Sequence, residues 1–332
     1  MSSNGFRVEK TLGTGAFGSV VLLTSIYNPS LQFAVKQQRK QTGERNKMQR
    51  MEYLIHERLS QVGHENVIKL HARSNDDYYH NLFLDYIDGG ELFDKVKQDV
   101  GIGQAQAQNY FQQIISGLEY IHGHGFVHRD IKLQNILLTK SNTVNICDFG
   151  MAAIWRHKER EALLNKFCGT EVYCAPEMFL KVPHRGPPLD IWSTGIVLFA
   201  MLSGAFPWAR ASKDDRFYQH WINGRLDEVP WPKWDDTLLD LFRKLLIDDP
   251  KERITIEQIK DHPWFNKDFS KEQKKPMKRS LASDELDSAV SKRAGSLTTL
   301  DAKRPRLEPL KKRPQSHSIL SSDVSSASEV EQ

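Results

Sequence analysis

Apolar and polar residues alternate from the start of the chain. Phe6-Arg7-Val8-Glu9-Lys10-Thr11-Leu12 has a period of two, and Ser19-Val20-Val21-Leu22-Leu23 is apolar and β-branched, so both read as strands. Phe33-Ala34-Val35-Lys36 reads as a third. The pattern then turns helical over NKMQRMEYLIHERLSQV, residues 46–62. Further on, Tyr110, Phe111, Ile114, Ile115, Leu118 and Ile121 recur at helical spacing and predict a stripe packed on a core. Ile136-Leu137-Leu138 and Val144-Asn145-Ile146 read as short strands. LDIWSTGIVLFAMLSG, residues 189–204, is apolar nearly all round, which predicts a helix buried at the centre of its domain.

A chain of 332 residues with 39% hydrophobic positions has enough apolar mass for one large two-lobed domain or two ordinary ones. No run of 18 apolar residues occurs, so no membrane span is expected, and MSSNGFRVEK lacks the apolar stretch of a secretion signal. The three cysteines, Cys147, Cys168 and Cys174, are odd in number and lack paired metal spacing, which fits a reducing compartment. His122 and His124 read as part of a surface loop rather than a metal pair, because no cysteine or carboxylate cluster accompanies them.

Composition shifts after Phe269. From residue 270 onward 13 Lys and Arg face 9 Asp and Glu, so the formal excess of +4 lies in that segment. It is Ser-rich and has no aromatic ring, and 270–332 reads as a disordered basic tail. Within it KRPRLEPLKKRP, residues 303–314, is a dense basic cluster with three readings: a nuclear-import signal met by an import receptor, a weak nucleic-acid contact, or a solvated tail that nothing reads. The first is preferred, with a nuclear and partly cytoplasmic location, no specific nucleic-acid binding and a monomeric chain. Ser296 and Ser316 each follow an Arg by three residues and are candidate autophosphorylation positions.

Gly13, Gly15 and Gly18 form G-x-G-x-x-G. A dinucleotide-binding turn requires a helix after the glycines, but a strand follows them here. The glycines therefore belong at a hairpin tip, where backbone N–H groups approach phosphates without Cβ interference. Lys36 on the third strand then suits an electrostatic role, with Glu52 or Glu57 of the following helix as its partner. Glu52 is preferred, because Tyr53 and Leu54 adjoin it and Leu59 lies seven residues on.

FVHRDIKLQNILL, residues 126–138, and ICDFG, residues 146–150, complete a pattern that resembles eukaryotic-type protein kinases. The matching elements run in order: the glycine-rich loop, Ala34-Val35-Lys36, the His128-Arg129-Asp130 loop with Asn135, Asp148-Phe149-Gly150, Ala175-Pro176-Glu177 and Arg253. The resemblance covers residues 6–265 and implies an α+β, two-lobed fold, with a β-rich N-lobe over 6–84, a hinge over 85–90 and a helical C-lobe over 91–265. Residues 1–5 would be an N-terminal extension.

By that resemblance Asp130 accepts the substrate hydroxyl's proton, Lys132 offsets charge on the transferred phosphate, and Asn135 and Asp148 hold Mg²⁺. Phe149 packs beneath and sets the direction of Asp148. ATP contacts fall to Leu12, Gly13, Thr14, Gly15, Ala16, Phe17, Gly18, Ser19 and Val20 of the loop, to Lys36 and Glu52, and to Leu137. Leu84 is the gatekeeper, Asp85 to Ile87 offer backbone groups to adenine, and Glu91 reaches the ribose and a basic substrate residue. Asp190 is expected to bond the catalytic-loop backbone, and Glu177 and Arg253 to form a buried ion pair.

GGELFD, LLNKFCGT, HENVIKL and ERITIEQIK resemble the checkpoint kinase one branch of the calcium/calmodulin-kinase-like group. This implies Ser/Thr protein substrates with Arg three positions before the target and a role in the DNA-damage and replication checkpoint. The catalytic loop departs from the family at Leu133 and Gln134, where Pro and Glu are usual. The loss of that carboxylate is expected to weaken selection for a second basic residue nearer the target. The alternatives are a nucleotide-binding pseudokinase scaffold, whose mark would be a lost Lys36, Asp130 or Asp148, and a small-molecule kinase, which the full activation segment argues against.

Between Gly150 and Gly169 there is no Ser, Thr or Tyr. Activity without activation-loop phosphorylation is therefore expected, with Glu159 or Glu161 supplying negative charge to Arg129. Thr170 is expected to bond Asp130 and Lys132.

Overall fold

The computed structural model describes residues 5–15, 18–158, 160–180, 182–225, 234–271 and 306–307. Strands β1 (Phe6–Gly15), β2 (Gly18–Ser25), β3 (Gln32–Arg39), β4 (Leu70–Asn75) and β5 (Tyr79–Asp85) form an antiparallel sheet in the order β1-β2-β3-β5-β4. Helix α1 (Gly43–Val62) crosses between β3 and β4 and buries Glu52, Ile55, His56 and Leu59. That i, i+3, i+4, i+7 set is a single helical stripe. It includes Glu52, but Leu54 is not part of it and lies half exposed. Glu52 therefore faces the core through its own stripe rather than through its sequence neighbours.

The larger lobe is built around two helices. Helix α2 (Gln104–Gly123) buries the expected stripe from Tyr110 to Ile121. Helix α3 (Pro187–Ser203) is buried continuously from Leu189 to Ser203, as its all-round apolar sequence requires. Around them stand α4 (Arg216–Ile222), α5 (Asp236–Leu245) and α6 (Ile256–Lys260). Trp192, Trp208, Trp264, Phe199 and Phe242 are among its fully buried side chains, each worth roughly 1.5–3 kcal/mol of transfer free energy. The strand pairs β6 (Phe126–Val127) with β9 (Ala153–Ile154), and β7 (Ile136–Leu138) with β8 (Val144–Ile146), lie on the cleft side of this core. A third small ribbon pairs β10 (Arg156–His157) with β11 (Arg160–Glu161) in the activation segment.

Two expectations are corrected. His122 is not in a surface loop: it ends α2, is buried, and bonds the Asp190 carboxylate at 2.8 Å. Burial and a carboxylate partner explain it without a metal, and among the described residues no His, Cys, Asp and Glu cluster could hold one. The tail is also not wholly undocked. A short turn carries the chain as far as Lys271, Leu307 is buried and Arg306 pairs with Ala205. The lack of aromatic rings suggested that nothing in the tail would bury, but one leucine does. Ser296, Ser316 and the remainder of the basic cluster lie outside the described residues. Also among the described residues, no helix is long and apolar enough to cross a membrane.

Candidate active site

The hairpin between β1 and β2 closes with Gly15 opposite Gly18, and Ala16 and Phe17 at its tip lie outside the described residues. A glycine-rich hairpin, not a dinucleotide-binding turn, is therefore the answer to the motif. Gly18 is required by its neighbour strand, since a Cβ there would sit 1.8 Å from the Gln37 carbonyl oxygen. A Cβ on Gly13 would meet nothing within 4 Å, so that glycine leaves open space. Ser19 donates to the Gln37 side chain, and Val20 pairs across the sheet with Lys36.

Lys36 is held from both lobes. Its Nζ donates to Glu52 Oε1 at 2.6 Å and to Asp148 Oδ1 at 2.7 Å. Burial disfavours the ammonium, but the charges of Asp148 and Glu52 outweigh it and hold Lys36 above the ordinary lysine pKa. The same Lys36 charge holds the Asp148 carboxyl below the usual carboxylate range. The competitor Glu57 is engaged by the Tyr53 hydroxyl instead. Gln38, on the same face of β3 as Lys36, donates to Glu52 Oε2 at 2.7 Å and fixes the carboxylate. Its two-residue offset from Lys36 was the available sequence signal.

Asp148 adopts a left-handed backbone (φ 67°) and accepts the Gly150 N–H at 3.3 Å. Its Oδ2 has no partner among the described residues, and the side chain is 46% exposed in the cleft. Below it, the buried Phe149 ring lies 4.8 Å from His56 and 5.2 Å from His128. His56 donates through Nε2 to the Ile68 carbonyl at 2.8 Å, which requires only the neutral ring. Burial depresses its pKa to about 4. Sequence reasoning missed His56, although it falls one helical turn after Glu52.

The catalytic loop hangs from Asp190 at the start of α3. The Asp190 carboxylate accepts the backbone N–H groups of His128 (2.9 Å) and Arg129 (2.8 Å). Burial alone would raise its pKa, but hydrogen bonding and charge from His122, with the His128 contacts, bring it below the ordinary value. His128 is fully buried; its Nε2 donates to the Cys147 carbonyl and its Nδ1 accepts the Asp130 N–H. Arg129 sits at φ 64° and its Nε donates to the Met151 carbonyl at 2.7 Å. Glu161 does not reach Arg129, because both its oxygens are taken by Arg185 at 2.7 and 2.9 Å. The expected charge donor is thus committed elsewhere, and Glu159 lies outside the described residues.

Three donors converge on the Asp130 carboxylate: Lys132 Nζ at 2.6 Å, Thr170 Oγ1 at 3.0 Å and Asn135 Nδ2 at 3.1 Å. Lys132 also reaches Thr170 at 3.2 Å, so Thr170 bridges both groups as expected. Asn135 spends its amide nitrogen on Asp130, which turns its carbonyl oxygen away as an acceptor. Its backbone carbonyl receives the Cys147 N–H, which ties the Asp130 loop to the strand leading into Asp148.

Leu84 is buried between β3 and β4, opposite Ala34 and Leu70. After it, Asp85 turns its carboxylate to His71 and the Lys69 N–H, and its own backbone N–H donates to the Lys69 carbonyl at 3.1 Å. Glu91 pairs with Leu137 across the mouth of the cleft, and Ile87 packs on the core. Deeper in the C-lobe, Glu177 and Arg253 form the expected buried pair, at 2.8 and 3.0 Å. The Gln134 carboxamide has no partner for its nitrogen or oxygen among the described residues.

The family model described as protein kinase domain matches residues 6–265. The serine/threonine-protein kinase chk-1 of Caenorhabditis briggsae is 45% identical over 92% of this chain and 64% of its own length. The chk-1 protein of Caenorhabditis elegans is 46% identical over 84% of this chain and 57% of its own. The serine/threonine-protein kinase CHK1 of Saccharomyces cerevisiae is 37% identical over 76% of the chain and 50% of its own. The chain thus spans somewhat less than two thirds of the two Caenorhabditis proteins it matches.

Proposed function

The chain belongs to the protein kinase family, and we propose that it is an active protein serine/threonine kinase that phosphorylates protein substrates from ATP. The observation that carries this is the Lys36 bridge to Glu52 and Asp148, which joins the small lobe to the large one beside the Asp130 carboxylate. In the reaction a substrate hydroxyl oxygen forms the new bond to the γ-phosphorus, the bond to the bridging oxygen breaks, and ADP leaves. Asp130 takes the hydroxyl proton. Lys132 and Thr170 hold Asp130 in place, and Lys36 steadies the α- and β-phosphates.

The donor set fits Mg²⁺: the unpartnered Asp148 oxygen and the Asn135 carbonyl are hard oxygen ligands of the kind it prefers. When bound, the ion neutralises phosphate charge. The backbone of Asp85 and Ile87 and the carboxylate of Glu91 serve adenine and ribose. Glu91 also recognises an Arg three residues before the target, while the neutral Gln134 offers no charge to a second one. A peptide library with strong Arg selection two positions before the target would contradict the Gln134 assignment.

Activity needs no activation-loop phosphate, since the segment has no acceptor and Arg129 is already held by the Met151 carbonyl. The names of the relatives support a place in the DNA-damage and replication checkpoint. The basic cluster over residues 303–314 is what supports a nuclear and partly cytoplasmic location, and a monomeric state with no specific nucleic-acid ligand completes the proposal. Radiolabelled ATP with an R-x-x-S peptide tests the core of this. Wild type transfers label and Asp130→Ala does not, whereas nucleotide binding without transfer by wild type would leave a scaffold.

A further inference from the structure

Helix α3 ends at Ser203, and Gly204 (φ 68°) turns the chain into Ala205 and Phe206, which are 0% and 3% exposed. The corner is tightly closed from one side: a Cβ on Gly204 would lie 2.2 Å from the Lys97 carbonyl, and the Asp99 N–H donates to the Gly204 carbonyl. From another side, Arg306 forms an antiparallel bridge with Ala205. The next residue, Leu307, is 7% exposed and belongs to the same continuous core as Phe206 and Trp208. Arg306 itself stays exposed. This is strand alternation, with one side chain inward and its neighbour outward, in the middle of the basic cluster that phosphoryl transfer does not use.

We propose that this corner of the C-lobe is a docking groove whose occupant is the chain's own basic segment, held by the Arg306 backbone and the Leu307 side chain. A protein that reads residues 303–314 through an acidic groove needs the same backbone extended and free on both faces. It therefore competes with the kinase domain for the segment, and docking lowers the apparent affinity of any such reader. The Arg306 charge remains in solvent while docked, so the first encounter with an acidic partner is not blocked at that residue; seating is.

The test uses the full chain and Leu307→Asn, which preserves charge and adds no hydroxyl three residues after Arg304. Limited trypsin digestion, followed by mass spectrometry, reads the Lys303–Arg304 and Arg306–Leu307 bonds, because cleavage tracks the population of the undocked state. Losing the leucine anchor is expected to raise cleavage at both bonds about tenfold, with the melting temperature of the domain and peptide phosphorylation unchanged. Equal cleavage in the two proteins overturns the docking. A fluorescently labelled polyglutamate peptide stands in for the acidic reader and is expected to bind Leu307→Asn more tightly than wild type. Faster cleavage with unchanged polyglutamate binding overturns the competition and leaves the groove. Neither readout uses catalysis, so failure here is distinct from failure of the kinase reading.

Discussion

The cleft and the base of the larger lobe each hold carboxylates against a cation, and they are put together differently. At the base, Arg253 is fully enclosed, its Nε, Nη1 and Nη2 all donate, and both Glu177 oxygens are used. The guanidinium also faces Trp192 at 4.9 Å. In the cleft, Lys36 shares one ammonium between two carboxylates, and Asp148 keeps an oxygen free in a half-open site. A closed pair has nothing left to offer a ligand. An open one has bonding capacity that only a ligand completes.

The comparison breaks first on catalysis. Asp130→Asn and Asp148→Asn should each lower kcat by about 10³-fold or more, with the denaturant midpoint nearly unmoved. Loss of stability comparable to the loss of activity would place the cleft in the same class as the base. The reverse is expected of Glu177→Gln. Leaving Arg253 buried without its counter-charge should cost about 3–5 kcal/mol in urea unfolding, and activity should follow the folded fraction. A stable Glu177→Gln protein would mean that the pair is not what braces the lobe.

Much of this contrast was legible from residue types. Motif spacing placed Asp130, Lys132, Asn135 and Asp148, because phosphoryl transfer allows few substitutes at those positions. The all-apolar α3 announced its burial. Side-chain competition was not legible. Glu161 had the right charge and segment for Arg129, but the nearer Arg185, 24 residues on in sequence, takes both its oxygens. His122 looked like a loop residue because its partner, Asp190, lies 68 residues away. Leu307 looked inert because its groove forms only once α3 and the turn after it have folded. Contacts between distant segments are set by packing, and local pattern does not encode them.

His56 sharpens the comparison from beneath the cleft. The ring is buried neutral, with its pKa depressed from 6.5 to about 4, while the unfolded chain takes up a proton near 6.5. Its contribution is therefore present above pH 6.5 and is lost as pH falls towards 4. The full loss is about 3 kcal/mol. In urea titrations from pH 7.5 to 4, His56→Leu should lose this part of the slope, since leucine fills the site without titrating. Parallel slopes in the two proteins would remove His56 from the account.

The smallest effect belongs to the activation segment. Arg185 and Glu161 are both 43% exposed, so their bidentate pair should contribute no more than about 1 kcal/mol to global stability. Its position matters more than its strength. Glu161 lies on β11, whose ribbon with β10 follows directly from the Phe126–Ile154 pairing, and Arg185 adjoins the Leu164–His184 bridge and the start of α3. The pair thus closes the segment onto the frame that carries Asp190. With no phosphate acceptor between Gly150 and Gly169, the ion pair supplies a fixed cross-link where other kinases gain one by modification. Arg185→Ala should lower kcat/KM for a peptide substrate by about two- to fivefold while leaving ATP affinity unchanged. The loss should deepen at high salt no further, because the screened interaction is already gone. The exchanged pair, Glu161→Arg with Arg185→Glu, should restore most of the rate. If neither the single variant nor the exchange alters peptide turnover, the segment is held by its backbone pairings alone.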